Sequence, residues 1–329
     1  KSDYDVIDLH WIDESYIPRT NFGPTKDKTK YQLGIARCRW DPTKRHTDFF
    51  RIAFRSMVNL NSERSLIAAL IPPKVTHVNL IESLAVRDNE YLQNIYPVVL
   101  SIVGDFLVKS SGIGNFRAST VGRFPCPEIP FTAWHRSLRL AALTSPYSEL
   151  WNRSGFAERP APWSSGDHRL KLEGSVEGPT TWDRTAGLRT EFARRLALVE
   201  IDVLVSQSVG LTLDQLIELY EIYFPVLQEY EAGTWFDQNG RIVWTCSKGL
   251  PGVGWLDDRG KSPGRAAWER ILADNPAELT CTAIDDTMPG GPRTVTRHFI
   301  GPFTQCDRIE DYRRAWAHFE RLKTAEAAE

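Results

Sequence analysis

The sequence of 329 residues is 42% hydrophobic, enough to bury one large or two ordinary cores, so we expect two domains. The net charge of −2 argues against a coat of basic residues, no run reaches the roughly 18 uncharged apolar residues of a membrane span, and KSDYDVIDLH does not resemble a signal peptide. Five dispersed cysteines without a Cys-x-x-Cys pair argue against a disulfide framework or a zinc cluster and favour a reducing cytoplasm.

Charge is segregated along the chain. Residues 1–14 carry five acids and one lysine, whereas residues 28–55 hold eight Lys or Arg against Asp41 and Asp48. A local basic face of this kind can bind phosphate, although a solvated charged surface is the alternative. Because the chain opens with Lys1 and an acidic segment, we expect it to be the C-terminal part of a longer protein.

The first half mixes strand and helix patterns. The run SLIAALIPP predicts a buried strand over Leu66–Ile71, stopped by two prolines. Residues 79–111 read as helical in two pieces divided near Pro97, and the second piece, Val98–Val108, leads into a basic loop.

This loop, FLVKSSGIGNFRASTVGRFPCPEIP over residues 106–130, has no acid between Phe106 and Arg123. Its cations and hydroxyl side chains lie on both sides of a Gly-Ile-Gly-Asn turn; they are Lys109, Arg117, Arg123, Ser110, Ser111, Ser119 and Thr120. The composition predicts an anion-binding loop, and a surface turn between a helix and a strand is the alternative.

The second half begins with residues 152–187, rich in Gly, Pro, Ser and Trp, which predict a linker or long surface excursion. Two helices are predicted next, and Thr212 with Gln215 forms a capping box at the start of the second. A short β run over 241–245 follows. The closing helix begins at a capping box of Asp307 and Glu310 and carries an apolar stripe; the stripe is Ile309, Tyr312, Trp316, Phe319 and Leu322.

Motifs of catalysis by the chain alone are missing. The sequence has no HExxH, GxxxxGK[ST] or GxSxG, its seven histidines lack metal-ligand spacing, and its two Gly-x-Gly pairs are incomplete nucleotide fingerprints. The pairs Asp257-Asp258 and Asp285-Asp286 read as solvated loop acids. We therefore predict no catalytic, metal-binding or cofactor-binding residue, and a binding protein with an anion-facing loop.

Three segments resemble one family. FFRIAFRSMVNLNSERSLIAALIPP resembles the segment that follows the catalytic domain in type IIG restriction–modification enzymes and related phage-defence adenine methyltransferases. PVVLSIVGDFLVKSSGIGNFRASTVGRFPCP resembles their target-recognition segment, and LVEIDVLVSQSVGLTLDQL is similar to their helical segment. The runs EAGTWFDQNGRIVWTCSKGLPGVGW and QCDRIEDYRRAWAHF look most like the large methyltransferases of DISARM-type and BREX-type systems.

The resemblance covers most of the chain but not the chemistry of the family. The family's Asn-Pro-Pro-Tyr loop and glycine motif for S-adenosylmethionine are absent from this sequence. The resemblance thus implies a catalytic half upstream of Lys1, with S-adenosylmethionine as the cofactor of the intact parent and none in this portion. It also implies a target-recognition domain over 1–150, a linker over 151–187 and a helical extension with a short β element over 188–329, an α+β protein.

The implied role is to hold double-stranded DNA for the methyltransferase. Phosphates require cations, and base edges require Arg, Asn, Gln or Ser donors and acceptors. The predicted contacts are two sets: in the loop Lys109, Ser110, Ser111, Asn115, Arg117 and Arg123, and beside the predicted strand Arg51, Arg55 and Arg64. Ion pairs with the upstream domain are the alternative for the second set.

The expected partners are double-stranded DNA, the upstream methyltransferase domain and other phage-defence proteins, and we expect no membrane. A second hypothesis is a docking module without DNA contact. Its contact surfaces would be the aromatic-rich segment 234–255 and the closing helix, since tryptophan often anchors interfaces.

Overall fold

The chain folds as an α+β protein, as the sequence predicts. The computed structural model describes residues 9–10, 12–16, 27–156, 159–174, 178–250, 252–285 and 292–326. The strands within these residues are β1 Arg51–Arg55, β2 Ala68–Ile71, β3 Ile81–Ala85, β4 Thr234–Phe236, β5 Ile242–Thr245, β6 Glu278–Asp285 and β7 Arg293–Ile300. They form antiparallel sheets of order β2-β1-β3, β4-β5 and β6-β7.

Helices supply most of the regular structure. They are α1 Lys28–Gly34, α2 Asn89–Leu100, α3 Ile102–Ser111, α4 Ala118–Val121, α5 Phe131–Ala141, α6 Ser148–Arg153, α7 Glu191–Ser208, α8 Leu213–Tyr223, α9 Pro225–Ala232, α10 Arg265–Ala273 and α11 Arg308–Glu326. Short 3-10 turns lie at His46–Asp48, Ser145–Tyr147, His168–Glu173 and Arg184–Ala186.

The first sheet has one apolar face and one face with arginines. Successive side chains of a strand point to opposite faces, so Ile52 and Phe54 of the central strand β1 enter the core while Arg51 and Arg55 lie on the other face. The predicted strand over 66–71 is confirmed as β2, although it is an edge strand and only partly buried.

Residues 79–111 differ from the prediction at two places. They begin with β3, because Ile81–Ala85 pairs with β1 and this tertiary pairing overrides the local helical pattern. The helix α2 then continues through Pro97, and the break falls at Ser101, whose Oγ accepts the Gly104 N–H at 3.2 Å and caps α3.

The helix α7 lies in the largest apolar cluster and packs against α2, α3, α5, α8 and α11. The cluster joins Val98 and Leu140 to Leu204 and Phe319. The segment predicted as a linker also contributes buried side chains, among them Phe156. The division at 150 and 188 stays a prediction, and residues on both sides of these positions share a core.

The predicted helices of the second half are confirmed as α7, α8 and α11. Thr212 and Gln215 form the predicted capping box, with the Thr212 N–H donating to Gln215 Oε1 at 2.8 Å and the Gln215 N–H donating to Thr212 Oγ1 at 3.2 Å. The Asp307 carboxylate accepts N–H groups at the start of α11, and the stripe of this helix packs on the core.

A third apolar cluster is formed by β4, β5, α10 and the hairpin β6-β7. The run over 241–245 is confirmed as β5, whereas the long hairpin was not predicted. Trp244 and Trp268 stack within this cluster, with ring centroids 5.8 Å apart and planes at 7°. The aromatic residues of 234–255 therefore serve mainly to pack the cluster.

None of the described helices is, by itself, long and apolar enough to cross a membrane; the bent pair α2–α3 passes that test on length and composition only.

Candidate nucleic-acid interface

The loop after α3 is fixed to the sheet by its backbone. The helix ends at Gly112, whose φ of 65° is in the left-handed region that glycine adopts without strain. The Val58 N–H donates to Gly114 O at 3.1 Å, and the Phe116 N–H donates to Ser56 O at 2.7 Å. The Phe116 ring is buried in the core beneath the loop. The side chains before and after it are thereby held at the surface.

Three of the predicted contacts are exposed on this loop. Asn115 and Arg123 have no side-chain hydrogen bond or ion pair to any other described residue, so their donors are free for a ligand. The third, Arg117, is 66% exposed and donates to Glu82 Oε1 at 2.8 Å. An exposed pair of this kind is weak and exchanges readily for another acceptor.

The two serines lie at the end of α3. Both are exposed, and Ser110 Oγ donates to Leu107 O at 3.3 Å while Ser111 Oγ donates to Val108 O at 2.7 Å. Each hydroxyl keeps its acceptor lone pairs, so both can still accept from a base or water.

Lys109 faces inward rather than toward a ligand. Its Nζ donates to Leu60 O at 3.1 Å and to Ser62 O at 3.4 Å, and it lies 5.1 Å from the Phe224 ring centroid. Burial lowers the pKa of Lys109, and the nearby Asp105 carboxylate opposes this shift. We conclude that Lys109 fixes the loop over 60–62, and we leave it out of the proposed interface.

Arg64 is likewise used inside the fold. Its Nε lies 3.1 Å from Asp105 Oδ2, and another guanidinium nitrogen donates to Leu100 O. Asp105 also accepts the N–H groups of Ser65 and Leu66, the latter at 2.8 Å. Burial raises the pKa of Asp105, while the Arg64 charge lowers it. This carboxylate therefore joins the first two segments of the resemblance, and Arg64 is also left out of the interface.

Arg51 and Arg55 lie on the polar face of β1. Arg51 is 2% exposed and donates to Ser83 Oγ at 3.3 Å and to Val75 O. Arg55 Nε donates to Met57 O at 3.0 Å. Arg51 Nε and Arg55 Nη2 are buried without a hydrogen-bond partner among the described residues. Their role as DNA contacts stays a prediction.

A basic segment, residues 27–48, lies beside this face. Its exposed or half-exposed cations are Lys28, Lys30, Arg37, Arg39, Lys44 and Arg45. Its acids are used locally: Asp27 accepts the Lys30 N–H at 2.9 Å, Asp41 accepts that of Thr43 and Asp48 accepts that of Arg45. The segment is therefore a cationic surface, as the charge block in the sequence indicates.

The basic segment and the loop meet at Glu82. A cavity of ≈ 280 Å³ lies elsewhere, among the α7–α11 ion pairs, whereas one of ≈ 870 Å³ lies between the basic segment and the sheet. The larger cavity is lined by Lys30 and Arg51 and also by Glu82, the carboxylate that Arg117 contacts from the loop. The two cationic groups are thus neighbours on one side of the molecule.

A second groove, of ≈ 510 Å³, adjoins the loop and was not predicted. It is lined by Arg87, Tyr91, Ser119 and Phe124, among others, and Tyr91 is 59% exposed. Asp88 caps α2 by accepting the Tyr91 N–H at 3.0 Å, which fixes Tyr91 in the first turn. An Arg-Asp-x-x-Tyr helix start is the signal in the sequence that indicates this arrangement.

Among the described residues no group of three or more His, Cys, Asp or Glu side chains could hold a metal ion. In the two predicted acid pairs, Asp257 binds Arg259 and Asp285 lies 3.2 Å from Arg293, while Asp286 lies outside the described residues. The predicted absence of catalytic, cofactor and metal residues stays a prediction.

Comparison with models of protein families, with curated proteins and with solved structures found no match to this chain. The resemblance to type IIG and phage-defence methyltransferases stays a prediction.

Proposed function

We propose that this chain is the DNA target-recognition portion of a site-specific, S-adenosylmethionine-dependent adenine DNA methyltransferase in a cytoplasmic phage-defence or restriction–modification system. The proposal rests on one observation: the basic segment 27–48 and the loop 110–123 border the same residue, Glu82, and present their cations on neighbouring surfaces. The catalytic domain would lie upstream of this portion.

The electrostatics of this surface suit a duplex. DNA carries one negative charge per about 1.7 Å of helix axis, so a protein must offer several spaced cations to grip it. Lys28, Lys44 and Arg39 of the basic segment are exposed, as are Arg117 and Arg123 of the loop. Several exposed cations on these two segments favour contact with several phosphates rather than with one small anion.

The loop after α3 would contact the edges of the bases. Asn115 has a free amide that suits adenine, and Arg123 has a free guanidinium that suits guanine. Tyr91 adds an exposed ring on which a displaced base could stack. Adenine methylation requires a base to leave the stack at a cost of a few kcal/mol, which contacts along the flanking duplex offset.

The docking hypothesis loses its main argument. Trp244 is 3% exposed and Tyr312 is fully buried, so the aromatic residues that suggested a contact surface largely fill the molecule's own clusters. Partner proteins stay a prediction without an identified anchor.

Binding of this chain to duplex DNA over a salt series tests the proposal. We expect steep loss of affinity with salt. We expect the double variant Arg117→Ala/Arg123→Ala to reduce the slope of log K against log[salt] by about one, through the lost Arg117 phosphate contact, and to weaken binding further through the lost Arg123 base contact. Arg313→Ala/Arg321→Ala on α11 is the matched control, because it removes two exposed positive charges far along the chain. Flat binding, or equal slopes for both double variants, would contradict the proposed function.

A further inference from the structure

The cavity between the basic segment 27–48 and the sheet carries an inference of its own. We propose that it is a binding site for the phosphate group of a nucleotide, held by buried Arg51 and exposed Lys30. If the phosphate belongs to the DNA backbone, the inference rests on the proposed function; a free phosphate monoester would make it a separate site.

Arg51 is a buried cation without a paired carboxylate in the part of the chain that the structure describes. The side chain is 2% exposed and bonds to a hydroxyl and a carbonyl, Ser83 Oγ and Val75 O. No carboxylate among the described residues lies within ion-pair distance of it. A guanidinium does not lose its proton in a protein, so burial leaves a full positive charge that an anion would stabilise.

The rest of the lining supplies donors. Lys30 and Tyr31 come from α1, and His77 and Ser83 from the side of β3. Ser83 Oγ is positioned by His77 Nε2 at 2.9 Å as well as by Arg51. These groups suit phosphate oxygens, which accept charge-assisted hydrogen bonds from Arg and Lys.

The charge of the cavity also favours an anion. Its carboxylate, Glu82, is engaged by Arg117 at 2.8 Å. The pKa of His46 is lowered by burial and further by the Arg51 charge, which favours the neutral imidazole. Lys30 and Arg51 outnumber Glu82, so the described lining carries a net positive charge whether or not Arg117 stays on Glu82.

The volume of the cavity limits the class of ligand that it can bind. Pockets for small molecules and cofactors have volumes of about 300–1,000 Å³, and this cavity has ≈ 870 Å³. That volume is more than a bare phosphate ion needs. It accommodates a nucleotide, whether free or at a position along a DNA strand.

Calorimetric titration of the chain with adenosine 5′-monophosphate, inorganic phosphate and adenosine tests the site. We expect saturable binding of the first two and none of adenosine. Lys30→Ala should weaken binding about tenfold, the loss of one charge-assisted contact. Lys28→Ala is the matched control, because Lys28 lies on the same helix and does not line the cavity, and it should bind as wild type does.

Arg51→Lys keeps the positive charge but removes the planar guanidinium, which can donate two parallel hydrogen bonds to a phosphate. We expect this substitution to weaken binding at least as much as Lys30→Ala. Since a buried substitution can also impair folding, Lys30→Ala carries the decision if Arg51→Lys does not fold. No saturable binding of either phosphate probe, together with a DNA salt slope for Lys30→Ala equal to that of wild type, would overturn the proposal.

Duplex DNA separates the two sources of phosphate. If the nucleotide displaces the duplex and Lys30→Ala lowers the salt slope by about one relative to wild type, the phosphate is that of the DNA backbone. If the nucleotide binds without changing duplex affinity, the ligand is a free phosphate ester. If Arg117→Ala/Arg123→Ala leaves the salt slope as in wild type, the result counts against the proposed function alone, since neither residue lines the cavity.

Discussion

Arg308 and Arg51 are both almost fully buried, at 5% and 2% exposure, but they have opposite electrostatic surroundings. Arg308 in α11 lies 3.0 Å from Asp202 Oδ2 and 2.9 Å from Glu231 Oε1. Among the described residues, Arg51 in β1 donates to a hydroxyl and a carbonyl and to no carboxylate. The Nε of each lacks a hydrogen-bond partner among the described residues, so the difference between them lies in the counterion.

The comparison separates two uses of buried cations. Around Arg308 the pairs extend through Glu231 to Arg195, which also lies 2.6 Å from Asp311. This network joins α7, α9 and α11, and each of its buried arginines is paired with two carboxylates, which is the arrangement of a structural element. The Arg51 charge on the sheet, unpaired among the described residues, is instead the arrangement expected where an anion binds.

The largest expected effect is a loss of stability when the ion pairs of Arg308 are broken. Arg308→Met leaves Asp202 and Glu231 buried with less countercharge, and removing one partner of a buried pair costs about 3–5 kcal/mol. Urea denaturation measures the change. Arg313→Ala, an exposed substitution one turn along the same helix, should stay within about 0.5 kcal/mol. A loss below about 1 kcal/mol for Arg308→Met would contradict the structural role of the network.

The pH dependence of stability sharpens the same comparison. Burial acts to raise the pKa of Glu231, but the charges of Arg308 and Arg195 outweigh it and lower the pKa from its ordinary value of 4.5 to about 2. A carboxylate with a depressed pKa stabilises the fold above the unfolded-state pKa. This stability is therefore lost as the pH falls from about 4.5 towards 2.

We expect Glu231→Gln to be less stable than wild type by about 3 kcal/mol near pH 6, with the gap closing towards pH 2. Burial raises the pKa of Asp202, so the effect of this carboxyl on the pH dependence of stability is opposite in sign to that of Glu231. Both wild type and Glu231→Gln contain Asp202, so the difference in stability between these two proteins is the quantity to measure. The exposed Glu229→Gln on the same helix is the control. A gap that does not change with pH would show that the carboxylate acts through packing alone.

Local signals made the helical half predictable. The Thr212–Gln215 box and the stripe through Tyr312 and Phe319 depend on residues three and four apart, and the structure has both. The strand β3 was missed because its pairing partner β1 is distant in the sequence, and local patterns do not reveal such a partner. The hairpin β6-β7 is different: its strands pair with each other and bury alternate residues, a period of two that the sequence itself carries.

The candidate site was predictable only as a composition. The sequence shows which segments are basic, but it does not show that Asp105 takes Arg64 or that Glu82 lies between the loop and the cavity, since these contacts span 41 and 35 residues of chain. Counting charges therefore finds the region. It does not separate cations used inside the fold from those free at the surface.

The smallest expected effect is at Lys109, which tests whether a cation is used inside the fold or is free at the surface. Lys109→Met removes hydrogen bonds to Leu60 O and Ser62 O while keeping an apolar side chain over Phe224, so we expect a loss of stability of about 1–2 kcal/mol in urea denaturation. The DNA salt slope of Lys109→Met should equal that of wild type, because the ammonium of Lys109 already donates to two backbone carbonyls. Lys323→Met, at the exposed end of α11, controls for the lost charge and should change neither quantity. A slope reduced by about one with unchanged stability would instead place Lys109 against a phosphate and return it to the interface.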